Sequence, residues 1–464
     1  MTIKKESSNR KIGRRDFLKK MSAAGAVLAG ASVAGCSSDN RSNQKWSPEG
    51  TGGEPTGTMT YRTHPTSGDK VSILGYGCMR WPMKQDENGK NIVDQEKVNE
   101  LVDYAIEHGI NYFDTAPVYL QGQSETATGI ALKRHPRDKF FIATKMSNFG
   151  VTDFEGCVNI YKNSFKYLQV DYIDYYLLHN LGRSVENFNQ RFINNGLLDF
   201  LLKEREAGRI RHLGWSFHGE QEVFDHIMNL DIKWDFVQIQ LNYVDWRHAE
   251  KGRNVNAEYL QSELDKRGVP SVIMEPLLGG RLSKMPDHLV ARLKQRRPES
   301  SVASWAFRFA GHWPGVLSVL SGMTYKEHLV DNLKTYSPLE TLTDEELDFL
   351  EETAQLYKKY PIVDCNDCKY CMPCPYGIDI PGILLHYNKC VNEGNVPKDS
   401  QDPNYRNARR AYLVSYNRTV EKLRQADHCT SCGQCNEHCP QRINIPKEIE
   451  RIDKFIEQLK QETL

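Results

Sequence analysis

The sequence predicts an α/β chain: a closed (β/α)8 TIM-type barrel followed by a smaller, mainly helical domain rich in cysteine. Three observations carry that expectation. Eight short apolar runs alternate with amphipathic stretches from Val71 to about Tyr336, and eight βα units in a row close into a barrel. Eight of the twelve cysteines crowd into two proline-closed runs near the C-terminus. The first 57 residues show neither pattern. The expected division is 1–36 as a signal, 37–57 as a linker, 58–345 as the barrel and 350–464 as the cysteine-bearing domain.

Composition narrows the partners before any motif is read. Sixty Lys and Arg balance sixty Asp and Glu, so the 464-residue chain has no formal net charge. That balance gives no basis for a nucleic-acid partner. No stretch of 18 apolar residues exists, so no helix of the mature chain is expected to span a bilayer.

The N-terminus reads as a targeting segment. Lys4, Lys5, Arg10 and Lys11 precede Arg14-Arg15-Asp16-Phe17-Leu18-Lys19 and a weakly apolar run from Met21 to Gly35. This resembles a twin-arginine export signal, the route for proteins that leave the cytoplasm already folded. Val33-Ala34-Gly35-Cys36 resembles a lipobox, with Cys36 as the lipid-modified residue. A short buried or surface helix is the competing reading. The resemblance implies a membrane-anchored lipoprotein facing the periplasm or cell exterior. Residues 37–57, rich in Ser, Asn, Gly and Pro, are expected to be a flexible tether.

The strand candidates are Val71–Met79, Asn111–Ala116, Phe140–Lys145, Tyr172–His179, Ile210–Phe217, Phe236–Asn242, Pro270–Pro276 and Val316–Met323. Helical stretches follow; Glu96–His108 places Val98, Leu101, Val102, Ala105 and Ile106 on one face. Gly109, Gly208 and Gly268 mark returns to the next strand. Thr58–Asp69 is read as a hairpin at the mouth opposite the chemistry.

Polar residues stand where a barrel carries its site. Asp114 ends the second strand with Tyr119 five residues on, Lys145 ends the third, and His179 ends the fourth. Singly, each is as easily a satisfied structural group. Together with Gly75-Tyr76-Gly77, Asp114-Thr115-Ala116, Ser124-Glu125, Leu178-His179 and Gly214-Trp215-Ser216, they make residues 58–340 resemble the aldo–keto reductase family. The resemblance implies that Tyr119 is the general acid/base and that Lys145, Asp114 and His179 tune or position it. The chemistry agrees: hydride delivery to a carbonyl leaves an alkoxide that needs a proton donor. A tyrosine of ordinary pKa ~10 is a poor one without a cation beside it, and Lys145 is expected to lower it.

The resemblance also implies a nicotinamide cofactor, NAD or NADP. Gly77, Ser216, Gln238 and Met274 would contact its nicotinamide half; Gly322, Met323, Asp331 and Asn332 would contact the adenosine phosphate and adenine. Phe217, Met274, Gly322 and His328 depart from residues common in relatives. Gly322 and His328 leave the choice between NAD and NADP open, since a 2′-phosphate wants a fixed cation. The small carbonyl or alcohol substrate is unspecified. Arg80, Trp81, Trp246 and His248 are loop candidates for the pocket or plain surface residues, and an arginine there favours a carboxylate-bearing substrate.

The cysteine runs are Cys365-x2-Cys368-x2-Cys371-x2-Cys374-Pro and Cys429-x2-Cys432-x2-Cys435-x3-Cys439-Pro. Such steps supply thiolates to [4Fe–4S] clusters, and the fourth cysteine of each run commonly serves the other cluster. Crossed ligation gives Cys365, Cys368, Cys371 and Cys439 to one cluster and Cys429, Cys432, Cys435 and Cys374 to the second. The shorter step before Cys374 leaves open a first run that closes on itself. Zinc or disulfides are the alternatives, and neither explains the repeated three-residue step. The tail resembles a ferredoxin-like domain of the helical kind, with helices expected over Arg406–Gln425 and Lys447–Gln461. Cys78, Cys157 and Cys390 are left as buried thiols.

Two functions follow. The first is an oxidoreductase whose barrel exchanges a hydride and whose clusters pass electrons to an outside partner, such as a membrane electron carrier. The second is a non-catalytic ligand-binding or electron-relay protein in which only the clusters are redox-active. A third reading, clusters as mere braces, competes poorly where a disulfide would serve.

Overall fold

The computed structural model describes Pro55, residues 57–249 and residues 254–464. The expected signal, Cys36 and all but the end of the tether lie outside the described residues.

Eight parallel strands close into a barrel. They are Leu74–Gly77, Tyr112–Asp114, Phe141–Met146, Ile173–Leu181, Ile210–Phe217, Phe236–Gln240, Ser271–Met274 and Val316–Ser321. Each falls on one of the expected apolar runs, its ends moved by a few residues at most. The runs are nearly continuous because both strand faces are covered: all of Ile173–Leu181 except Asn180 is buried. Tyr112, Ala143, Tyr175, Leu177, Phe236, Val272 and Leu317 pack together as one interior cluster, so the barrel is filled rather than open. Helices cover the outside; Gln95–Glu107 buries Val98, Leu101, Val102 and Ala105.

The N-terminal hairpin pairs Tyr61–Thr63 with Lys70–Ser72. Its second strand takes up Val71, which the sequence assigned to the barrel, so the first barrel strand starts at Leu74. His64 lies 4.3 Å from the His212 ring and 6.2 Å from that of Tyr175, and its Nε2 is 3.0 Å from the Asp235 carbonyl. These partners sit at or near strand starts. The hairpin therefore closes the barrel floor, leaving the strand C-termini free.

Helix Asp344–Tyr357 opens on a reciprocal cap between Thr343 and Glu346. Its Leu350, Ala354 and Tyr357 join the barrel's hydrophobic core. Beyond it, helices Ile380–Asn392, Tyr405–Thr419 and Ile445–Gln461 form a separate core through Ile383, Leu384, Tyr412, Tyr416, Ile452 and Ile456. The first of these went unforeseen, although Asp379 caps its start and Pro381 sits in its first turn. The second stops at Thr419, short of the expected Gln425, and two short 3₁₀ turns continue to His428. Among the described residues no helix is long and apolar enough to cross a membrane.

Candidate active site

Neighbouring strand ends bring the second strand's Asp114 and the third's Lys145 into contact. Lys145 Nζ donates to Asp114 Oδ1 at 2.5 Å and to the Thr115 carbonyl at 2.8 Å. The two side chains are 1% and 3% exposed, so either charge left alone would be strongly destabilising. Burial pulls the Lys145 ammonium down in pKa while Asp114 pulls it back up. Lys145 Nζ lies 4.9 Å from the centre of the Tyr119 ring.

Tyr119 follows the second strand in a tight turn, where Leu120 and Gln121 adopt left-handed backbone angles. Its ring meets the His179 ring edge-on at 6.0 Å. His179 Nδ1 is 2.6 Å from Ser147 Oγ. Burial first, then the cations of Lys145 and Arg191, hold His179 well below the usual imidazole range, so it is neutral at physiological pH. Arg191 steadies this corner: its Nη2 donates to the His179 carbonyl at 2.8 Å and to Asn148 Oδ1 at 3.0 Å.

One expectation is reversed. Lys145 was expected to lower the Tyr119 pKa, yet burial raises it, with Tyr370 and Asp114 adding to the effect. The physical reason is that Asp114 neutralises the lysine's field while burial penalises the phenolate. Tyr119 is therefore a protonated hydroxyl, fit to donate.

Sequence reasoning missed Tyr370. This residue lies between Cys368 and Cys371, and it opens onto the same cavity as Tyr119, near enough to help raise the Tyr119 pKa. The segment leading to it is fastened to the barrel's upper loops. Arg281 donates to Asp364 Oδ1 at 2.9 Å, Asn366 Nδ2 donates to Glu275 Oε1 at 2.8 Å, and Arg80 donates to the Asn366 carbonyl at 2.9 Å. Gly279 allows the closest approach: a Cβ there would stand 2.5 Å from Asn366 Cα. No local pattern pairs a residue near 370 with one near 119.

Between the barrel mouth and the cysteine-bearing domain lies a cavity of about 1190 Å³, onto which Tyr119, Trp81, Tyr370, Cys368 and Cys439 open. Arg80 and Trp81 line it as anticipated; Trp246 and His248 do not. Trp246 stacks on Trp313 at 4.0 Å, and His248 bonds Glu351 at 2.7 Å. Six cationic side chains (Arg80, Arg183, Arg191, Lys369, Arg424 and Arg442) line it against three carboxylates, Asp367, Asp379 and Glu437. In a chain with no net charge, that excess is local.

The expected cofactor contacts sit deeper. Ser216 and Gln238 are register partners on adjacent strands. The Asn180 amide donates to Ser216 Oγ at 2.8 Å, whereas Gln238 Oε1 is buried with no hydrogen-bond partner. An orphaned amide oxygen beside a hydroxyl fits the carboxamide of a nicotinamide. Gly77 and Met274 are partly exposed, and Met323 is buried. Asn332 Nδ2 donates to Ser321 Oγ at 2.9 Å, and Asp331 accepts from Ser301 at 2.6 Å. Over Gly322 the Arg80 side chain leaves a Cβ only 3.0 Å of room. Arg80 is committed to Asn366 and Asp367, and burial holds His328 below the usual imidazole range. Neither is an uncommitted cation for a 2′-phosphate.

None of the eleven described cysteines is in a disulfide. Cys365, Cys368, Cys371 and Cys439 line one small cavity. A second is lined by Cys371, Cys374, Cys429, Cys432 and Cys435. Each cavity thus draws cysteines from both runs. Among the described residues no three His, Cys, Asp or Glu side chains converge on a single metal ion. Thiols grouped in this way are the donor set of a cubane cluster or of a tetrahedral zinc ion. Cys78, Cys157 and Cys390 are buried apart from both groups.

The profile of the aldo/keto reductase family matches residues 73–355. The uncharacterized oxidoreductase YqkF of Bacillus subtilis is 25% identical over 334 residues, covering 65% of this chain and 99% of that protein. A probable aldo-keto reductase 1 of Glycine max is 33% identical over 159 residues, covering 32% of this chain and only 43% of that protein. Among solved structures, aldo-keto reductase AKR11C1 from Bacillus halodurans has a TM-score of 0.51 at 23% identity. The similarity covers 64% of this chain and 96% of AKR11C1, and shows the barrel fold.

Proposed function

The chain belongs to the aldo/keto reductase family and is an oxidoreductase; from that premise we propose that it interconverts a small carbonyl and its alcohol at Tyr119. The observation that carries this reading is the buried Lys145–Asp114 pair set against a protonated Tyr119 and a neutral His179. Tyr119 donates its proton to the developing alkoxide, or takes it back from the alcohol in the reverse direction. His179, neutral and held by Ser147, orients the substrate oxygen. The Lys145–Asp114 pair stands beside the Tyr119 ring and fixes that corner of the site.

Ser216 and Gln238 would hold the carboxamide of a nicotinamide, which when bound would supply or accept the hydride. The cysteine groups, were they to hold [4Fe–4S] clusters, would carry single electrons to or from an outside partner. The cationic lining favours a substrate that bears a carboxylate or another anion. Export by the twin-arginine route and a lipid on Cys36 would hold the enzyme at a membrane surface, beside such a partner. The electron-relay reading draws its support from Asn366 and Arg80, which lie against the cofactor loops at Gly279 and Gly322.

The test is anaerobic purification, with identification of any bound nucleotide, iron and sulfide counts, and turnover of parent and Tyr119→Phe. A co-purified or tightly binding nicotinamide nucleotide, with turnover lost in Tyr119→Phe, supports the reading. Full activity in Tyr119→Phe sinks it.

A further inference from the structure

We propose that Arg183 and Arg191, on the segment that follows the fourth strand, form an anion subsite that holds a carboxylate of the substrate, so that the preferred substrates are carbonyl acids and their alcohols. This deepens the reading of Tyr119 as proton donor and rests on it.

Pairing singles out these two cations among the six that line the cavity. Arg80 meets Asp367 at 3.4 Å and Arg442 meets Glu220 at 2.7 Å, while Lys369 and Arg424 belong to the cysteine-bearing domain. Arg191 is only 5% exposed, yet every acceptor it meets is neutral. Its Nε and Nη2 donate to Asn148 Oδ1, Nη2 also to the His179 carbonyl, and Nη1 to the Asn180 carbonyl at 3.2 Å. One Nη1 N–H is thereby left without an acceptor among the described residues. Arg183, exposed at the rim, donates to the Glu437 carbonyl, and among the described residues it too meets no carboxylate. Burial lowers the Arg191 pKa to about 10, and the Arg183 cation adds to the effect. The two like charges feel each other with no anion paired to either.

The place suits a substrate carboxylate. Arg191 is fastened to the His179 carbonyl, and the Phe149 ring lies 5.1 Å from the His179 ring and 5.0 Å from the Arg191 guanidinium. Phe149 also lines the cavity. A substrate with its carbonyl at Tyr119 and His179 can therefore lie along Phe149 with its far end at the arginines. Guanidinium N–H groups match the two oxygens of a carboxylate, and their attraction strengthens where water is excluded. A cofactor phosphate is the other anion at hand. The residues expected to take it, Gly322 and Met323, follow the eighth strand, which stands diametrically opposite the fourth in the closed barrel. That leaves the arginines to the substrate.

The experiment uses the full holo-protein in two arms. In the first, calorimetry compares 4-(hydroxymethyl)benzoate with its neutral methyl ester, two alcohols of similar shape that differ in charge. The parent should bind the acid about tenfold more tightly, the worth of one charge-assisted hydrogen bond. Arg183→Gln and Arg191→Gln should each remove most of that preference, and Arg191→Lys should keep part of it. An acid bound no better than the ester by the parent, or a preference that survives Arg183→Gln, overturns the proposal. Arg183 is exposed, so its substitution decides the matter even where Arg191→Gln fails to fold. In the second arm, kcat/KM is measured for NADPH-dependent reduction of 4-carboxybenzaldehyde and methyl 4-formylbenzoate. The acid-to-ester ratio should fall about tenfold in Arg183→Gln. A merely structural role lowers both substrates together, and that unchanged ratio overturns the proposal. Weakened NADPH binding with a parent-like ratio assigns the arginines to the cofactor phosphate and overturns it as well. The failures are distinguishable: loss of the Tyr119 reading appears as activity surviving Tyr119→Phe, whereas the first arm needs no turnover.

Discussion

The barrel mouth and the cysteine-bearing domain solve the same problem, holding reactive groups in place, by opposite means. The barrel does it by burial: Lys145 and Asp114 are fastened to strand ends whose side chains sit in a filled core. In the other domain the three helices are well packed, but of the eight loop cysteines Cys432 is exposed and the others are half-buried. A buried ion pair pre-organises itself, since separating it inside the core costs more than keeping it. Half-exposed loops studded with thiols have no such reason to hold one shape, and a shared inorganic ligand would give them one. The lesson is that the two regions should answer to different perturbations: core substitutions reach the barrel mouth, and loss of loop cysteines reaches the second domain.

The largest effect is expected from Lys145→Met, which leaves the Asp114 carboxylate buried and unpaired. The loss of a buried partner typically costs about 3–5 kcal/mol, to be read as a lowered denaturation midpoint. Stability within about 1 kcal/mol of the parent would mean that Asp114 takes up a proton and the pair is not the anchor described.

Next is catalysis. Tyr119→Phe should abolish turnover while nucleotide affinity, measured by fluorescence titration, changes little, because the hydroxyl acts in the transition state.

The cysteine domain gives the counterpart. Cys439→Ser should perturb the cluster assigned to the first run, although Cys439 belongs to the second. Anaerobic iron counts of about eight in the parent, with crossed EPR losses in Cys374→Ser and Cys439→Ser, support shared ligation. About four irons in the parent would defeat the two-cluster arrangement.

A smaller effect concerns pH. Burial pushes His218 down to about 4 and holds His179 well below its ordinary value. Between pH ~6.5, the unperturbed histidine value, and about 4, the unfolded chain binds more protons at these positions than the folded one. Stability is therefore full above that window and declines as pH falls through it. His218→Gln should flatten part of the decline in thermal melts taken across the window; an identical profile would remove His218 as a cause.

The smallest structural effect is Cys36→Ala, expected to leave fold and turnover unaltered while releasing the protein from membranes into the soluble fraction. Retained membrane association would count against the lipobox.

Much of the barrel was legible because its signals are local. Apolar runs of strand length, each followed by a helical face, placed all eight strands, and the residues at their C-terminal ends fell where Asp114, Lys145 and His179 now meet. The cysteine groups were legible for a similar reason, since a three-residue step brings thiols to one side of a loop. Trp246 and His248 show the limit. Both stand on the short helix Asp245–His248 after the sixth strand, where the first is taken up by Trp313 and the second by Glu351.

What the sequence by itself determined is the periodicity of the βα units, the order of polar residues at strand ends and the grouping of the cysteines, because each depends on neighbours a few positions away. Only the tertiary structure decided that Tyr370 opens onto the same cavity as Tyr119, that Asn366 lies on Gly279, and that burial raises the Tyr119 pKa. Those outcomes depend on how the cysteine-bearing domain seats on the barrel and how much solvent it excludes. A pairing 251 positions apart in the chain leaves no trace in local pattern, and the dielectric around a hydroxyl exists only once both domains have closed over it.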